Sequence, residues 1–117
     1  MSRSAVEVVD LYNFELWNRM RPELLSEICA DPLVRHYAGK RVELTHTEQV
    51  ARVEAFREQG MVFERVLQFS EGELVTWVWN CTSDRDDTVH SGIEIFRVVD
   101  GRITEVWNAP YGDALWA

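Results

Sequence analysis

V-H-S-G-I-E-I-F-R-V-V-D-G-R-I-T-E-V-W-N-A, Val89 to Ala109, is the stretch that decides the fold. β-Branched and aromatic residues fill both arms, and Asp100-Gly101 between them is a hairpin turn signal because both residues tolerate positive φ. The segment reads as two antiparallel strands. Two registers fit it. A two-residue Asp100-Gly101 loop would set Glu94 opposite Trp107 and put Asn108 on the face of Ile93. A Val99-Asp100-Gly101 loop, with Gly101 in a G1 bulge, sets Glu94 opposite Val106 and puts Asn108 on the face of His90, Gly92 and Phe96. The second is preferred, because it sends Arg97 and Glu105 together to the outer face, where charges stay solvated. Glu94 then lies among apolar groups, a setting that raises a carboxyl's pKa and suits it to a chemical task.

Composition narrows the field around this hairpin. The chain of 117 residues is expected to form one domain over its whole length, 1–117, with 46% apolar residues as in an ordinary globule. A net charge of −8 argues against nucleic acid or an anionic membrane as partner, since both require clustered Lys and Arg. Five Trp suit either a wide apolar cavity or a core built from large rings. Cys29 and Cys81 have no metal-ligand spacing and read as small buried apolar residues. No two histidines have ligand spacing, and neither a glycine-rich phosphate loop nor a cysteine or serine beside a base is present, so neither a cofactor nor a metal is expected. No signal peptide, long apolar run or lipidation motif is read, and a reducing cytoplasm is the expected location.

In chain order, Ser4-Ala5-Val6-Glu7 is a capping box, and Val6, Val9, Leu16 and Met20 recur at helical spacing, with Tyr12, Asn13 and Trp17 beside that stripe. The first helix is predicted to run to about Arg19. A second, short helix is predicted from Pro22 to about Cys29, ended by Asp31-Pro32. Leu33 to Tyr37 and Arg41 to Leu44 read as extended, with Ala38-Gly39-Lys40 as the turn between them. Thr45-His46-Thr47-Glu48 is a second capping box, opening a third helix with Val50, Val53 and Phe56 inward and Gly60 at its end. From Met61 the period becomes two. Phe63, Arg65, Leu67 and Phe69 are expected on the covered face, as are Val75, Trp77, Trp79 and Cys81 after a turn at Ser70-Glu71-Gly72-Glu73. Helices gathered at the start and a strongly curved, mostly antiparallel sheet at the end define an α+β fold with the helices on one sheet face.

With that order in view, the sequence resembles the cone-shaped NTF2-like superfamily, and within it the SnoaL-like polyketide cyclases and ketosteroid isomerases. The similarity runs through G-I-E-I-F-R-V-V-D-G-R-I-T-E-V-W-N, Gly92 to Asn108, and extends over nearly the whole chain. The resemblance implies three catalytic positions. Tyr12 lies where ketosteroid isomerases place an oxyanion-donating tyrosine, His36 in V-R-H-Y-A-G where they have the general-base aspartate, and Glu94 where they have a second, protonated donor. The base is thus changed to an imidazole, and Asn108 stands where many SnoaL-like cyclases carry an acid.

Chemically, an imidazole is matched to proton transfer at neutral pH, while a phenol and a protonated carboxyl can donate to an oxygen that gains charge. Tyr12, His36 and Glu94 are therefore expected to meet in one apolar hollow, walled by Trp17, Phe56, Phe63, Trp77, Trp79 and Val106, with Arg65, His90 and Asn108 contributing polar groups. Such rings suit a flat apolar substrate with a carbonyl, isomerised, cyclised or dehydrated without a cofactor. Each residue also has a structural alternative: His36 at a pocket mouth, Tyr12 in the core, Glu94 paired with Arg65. Two other classes remain open, a binding protein for a hydrophobic ligand and an assembly module, because Ile93, Ile95 and Trp107 fall on the outer sheet face, where a homodimer is expected to form.

Overall fold

Two reciprocal caps start the long helical segments. In a computed structural model describing residues 3–116, the Ser4 hydroxyl accepts from the Glu7 N–H and the Glu7 carboxylate accepts from the Ser4 N–H, each at 3.2 Å. Helix α1 (Ala5–Asp10) continues directly into a π-helical segment (Leu11–Trp17), which places Tyr12, Asn13, Leu16 and Trp17 inward. Thr45 and Glu48 cap α3 (His46–Glu58) in the same way, and Gly60 follows it with φ +63. Pro22 opens a short 3₁₀ turn (Pro22–Leu24) that leads into α2 (Leu25–Ile28). This helix stops one residue before its predicted end, because Cys29 is already extended and pairs with Ile103.

Six strands follow: β1 (Cys29–Tyr37), β2 (Lys40–Leu44), β3 (Met61–Glu71), β4 (Leu74–Ser83), β5 (Val89–Val99) and β6 (Arg102–Gly112). Asp31-Pro32 lies within β1 instead of ending the helix. The order across the sheet is β2-β1-β6-β5-β4-β3, antiparallel except where β1 runs parallel to β6. The fold is thus α+β, a curled mixed sheet with the helices on one face. Between them lies a core that includes Val8, Leu16, Ile28, Leu33, Trp77 and Phe96. Cys29 and Cys81 are buried within it, and burial pushes both thiols up to about 12.

The β5–β6 hairpin adopts neither predicted register. Asp100 (φ 51) and Gly101 (φ 77) form a two-residue turn, with Val99 opposite Arg102. The extra residue sits further along, where Arg97 pairs with Glu105 and Val98 with Ile103, leaving Thr104 as a bulge in β6. Glu94 therefore lies opposite Asn108, and Val106 opposite Phe96. Because a bulge shifts register by one residue, the predicted faces survive although the predicted partner does not. Glu94, Phe96, Val106 and Asn108 share the inner face, while Arg97 and Glu105 sit together outside.

A second bulge overturns part of the β3 reading. Arg65 pairs with Trp79 but Leu67 with Val78, so Val66 is the unpaired residue and the alternation reverses beyond it. Leu67 and Phe69, expected to be covered, are exposed instead, at 49% and 61%. On β4 no such slip occurs, and Val75, Trp77, Trp79 and Cys81 are all buried.

Gly92 shows how closely the inner face is fitted. A Cβ built there would lie 2.7 Å from Trp79 Cζ2 and 2.9 Å from the Ala109 carbonyl oxygen. Gly92→Ala should therefore displace the Trp79 ring and destabilise the fold by about 1–3 kcal/mol, measured by urea unfolding followed through Trp fluorescence.

Candidate functional site

The inner face of the curled sheet and the helices over it leave a hollow of about 140 Å³. Each of its polar walls has a local cause. Tyr12 lies in the first turn of the π-helical segment, whose far end is tied to β3 by Asn18: its amide donates to the Phe63 carbonyl and its Oδ1 accepts from the Phe63 N–H, both at 2.8 Å. Alternation along β1 turns Leu33 and Arg35 inward and Val34 and His36 outward. Glu94 and Asn108 face each other across the β5–β6 ladder. Arg52 enters from α3, its guanidinium held by Gln49 Oε1 at 2.8 Å and lying over the Trp17 ring at 5.4 Å. Phe56, Phe63 and Trp79 supply the apolar wall.

Several polar atoms around this hollow are buried without a hydrogen-bond partner. They are the Tyr12 hydroxyl, the indole N–H groups of Trp17 and Trp79, Glu94 Oε2 and Asn108 Oδ1. Buried polar groups are normally satisfied. A cluster of unsatisfied donors and acceptors around one small space is what a ligand's polar groups would complete. Phe56, Phe63, Trp79 and Asn108 also line an adjoining cleft of about 380 Å³, which His90 and Tyr37 border.

Electrostatics single out Glu94. Arg35 Nη2 lies 3.7 Å from Glu94 Oε2, close enough for an ion pair and too long for a hydrogen bond. The guanidinium favours the carboxylate, and burial opposes it. Burial wins: it raises the Glu94 carboxyl above its ordinary range, with Arg35 and then Arg52 offsetting part of the rise. Burial likewise raises the Tyr12 phenol, so it remains a protonated donor.

Of the three expected catalytic residues, the structure brings together Tyr12 and Glu94 but not His36. The imidazole is on the opposite side of the sheet, stacked on Trp107 at 5.3 Å with Nε2 2.6 Å from Glu105 Oε2. With Ile93 and Ile95 it lines an outer groove of about 420 Å³. The reason is the phase of β1: pairing with β6 sets Arg35 beside Val106 and His36 beside Trp107, so the arginine points in and the histidine out. Arg65 is on the helix-covered face as expected, but at the sheet edge, where it pairs with Asp10 at 3.4 Å and lies over Phe14. The partner of Glu94 is Arg35, not Arg65. Trp77 and Val106, expected as cavity walls, are fully buried in the core and do not line the hollow. Trp17, Phe56, Phe63, Trp79 and Asn108 do line it. His90 stays at the mouth, half exposed, 3.2 Å from Asp113.

Arg35 and Arg52 were the residues missed. Arg35 adjoins His36 in sequence, and the Leu33 side of the strand's alternation was the available signal. Arg52 lies one residue from the inward-facing Val53 and reaches the hollow with a long side chain.

The raised Glu94 carboxyl has a consequence for stability. Because the folded state holds this proton more tightly than the unfolded chain, its contribution is present at low pH and is lost as pH rises from the ordinary value of 4.5 through the raised folded value. Glu94→Gln removes that dependence. Chemical denaturation at a series of pH values should show the variant gaining stability relative to the parent across this window; a difference independent of pH would contradict the assignment.

Comparison with known proteins places this geometry. Residues 8–106 match the SnoaL-like domain family. No curated protein matches the chain by sequence. Among solved structures, a candidate isomerase of the SnoaL-like family from Agrobacterium tumefaciens is 21% identical, with 92% of this chain and 97% of that chain covered and a TM-score of 0.74. An NTF2-like protein of unknown function from Mesorhizobium loti is 25% identical over 92% of this chain and 91% of its own, with a TM-score of 0.76. A candidate polyketide cyclase from Acidithiobacillus ferrooxidans is 21% identical over 95% and 92%, with a TM-score of 0.70. The family match spans most of the chain and the same helices and curled sheet recur in these structures, so the protein belongs to the SnoaL-like domain family, with the NTF2-like fold.

Proposed function

We propose that the chain is a small, cofactor-independent enzyme that moves a proton on an apolar, carbonyl-containing molecule, in an isomerisation, cyclisation or dehydration. The observation that carries this reading is a buried carboxyl of raised pKa beside an unpartnered phenol in a hollow with aromatic walls. Glu94, the carboxyl among the residues lining that hollow, takes the role expected of His36. As a carboxylate it removes a proton from the carbon next to the carbonyl. As the resulting acid it returns that proton to another atom of the substrate. A carboxyl whose pKa lies nearer neutrality serves both steps better than an ordinary one.

The carbonyl oxygen gains charge as the proton leaves. The Tyr12 hydroxyl donates to it, and the adjacent guanidiniums add a positive potential in a space with little water. The rings of Phe56, Phe63 and Trp79 favour a flat body for the rest of the molecule. The SnoaL-like isomerase and polyketide cyclase candidates on the same fold support this class of chemistry.

Turnover of a panel of enones and polyketide-like ketones tests the reading. On any substrate that the parent converts, Glu94→Gln should lower kcat by roughly 10²–10⁴ and Tyr12→Phe by about 10²–10³. His36→Ala, on the outer face, should leave kcat unchanged. Full activity in Glu94→Gln would remove the carboxyl from the mechanism. Quenching of Trp fluorescence by ligands, with no product from any of them, would favour a carrier of hydrophobic molecules instead.

A further inference from the structure

The charge in the hollow is unbalanced. Arg35 and Arg52 contribute two guanidiniums, and Glu94 alone contributes a carboxyl. Arg35 is 7% exposed, and among the described residues it donates no hydrogen bond; its ion pair with Glu94 is 3.7 Å long. Arg52 spends one N–H on Gln49 and presents its plane to Trp17. Of the unpartnered groups, Tyr12 O–H and the Trp17 and Trp79 N–H groups are donors, which outnumber the acceptors Glu94 Oε2 and Asn108 Oδ1. In a chain whose net charge is −8, a buried space lined by two cations and three free donors is a local exception.

Burying the Arg35 guanidinium, and half-burying that of Arg52, with one carboxyl is costly unless a further anion completes the set. A carboxylate fits the geometry of that deficit, because its two oxygens match the planar fork of a guanidinium and can accept from a neighbouring phenol or indole. We propose that the molecule bound in this hollow is a flat organic acid whose carboxylate lies between Arg35 and Arg52, with its apolar body against Phe63 and Trp79. The inference relies on the hollow being the ligand site of the proposed function. It does not depend on the proton-transfer step.

Cinnamate and its neutral isostere cinnamamide separate charge from shape. Titration followed by Trp fluorescence and calorimetry at low ionic strength should give cinnamate a Kd lower by about tenfold or more. Arg52→Gln, at a partly exposed helix position, should abolish most of that preference, and Arg52→Lys should keep part of it. Arg35→Gln should act in the same direction provided its circular dichroism matches the parent. Equal or tighter binding of the amide, an undiminished preference in Arg52→Gln, or no binding of cinnamate at millimolar concentration would each overturn the proposal. Glu94→Gln distinguishes the two readings, since it should keep or strengthen cinnamate binding while losing turnover. A retained preference with unimpaired turnover in that variant would sink the role of Glu94 and leave the anion site standing. Lost turnover without any charge preference would do the reverse.

Discussion

A carboxyl and a guanidinium buried on one face of the sheet, Glu94 and Arg35 at 3.7 Å, constrain the rest of the site. Either charge alone in that position would cost several kcal/mol. Their strands are not neighbours: β6 runs between β1 and β5, so both pairings must be in register for the two side chains to meet. The parallel β1–β6 ladder sets Arg35 beside Val106, and the β5–β6 ladder sets Glu94 beside Asn108. The arginine thus reaches diagonally across β6 toward the acid. The pair is poorly satisfied as an ion pair, lacking a direct hydrogen bond, which is why burial still dominates the acid's proton affinity. Tight bidentate pairing would have made a stable but inert wall.

The space around that pair is walled by aromatic residues of which Phe56 and Phe63 stack at 4.9 Å while the others meet edge to face. Trp17 packs on Phe56 at 5.1 Å and Trp79 on Phe63 at 5.2 Å, with interplanar angles of 83° and 87°. Perpendicular rings leave corners that parallel stacks would close. Gly92 lets the Trp79 ring lie against β5. The π-helical segment sets Tyr12 and Trp17 on the inner side of the helix, and Asn18 locks its end to β3. The hollow is therefore a product of packing geometry at a few positions, not of missing side chains.

Much of this was legible in the sequence because it is local. The hairpin turn at Asp100-Gly101, the capping boxes at Ser4 and Thr45, and the inward run of Trp77, Trp79 and Cys81 depend on residues close in the chain; the caps and the inward run formed as read, and the turn formed at the expected place with two residues instead of the preferred three. The inward placement of Glu94 also followed from alternation. What escaped were phase shifts and non-local pairings. Bulges at Val66 and Thr104 each insert one residue without a mark in composition, turning Leu67 and Phe69 outward and changing the partner of Glu94. In V-R-H-Y the side that faces inward is decided by docking of β1 on β6, some 70 positions away, so resemblance favoured His36 where the sheet chose Arg35.

The chemistry of the site depends on the protonation of one buried side chain. The most direct measurement is carbon NMR of the folded protein with labelled glutamate carboxyls, the Glu94 signal assigned by its absence in Glu94→Gln. This resonance should titrate with a midpoint clearly above 4.5, the ordinary value. A midpoint at or below 4.5 would show that Arg35 outweighs burial, and would contradict the central claim.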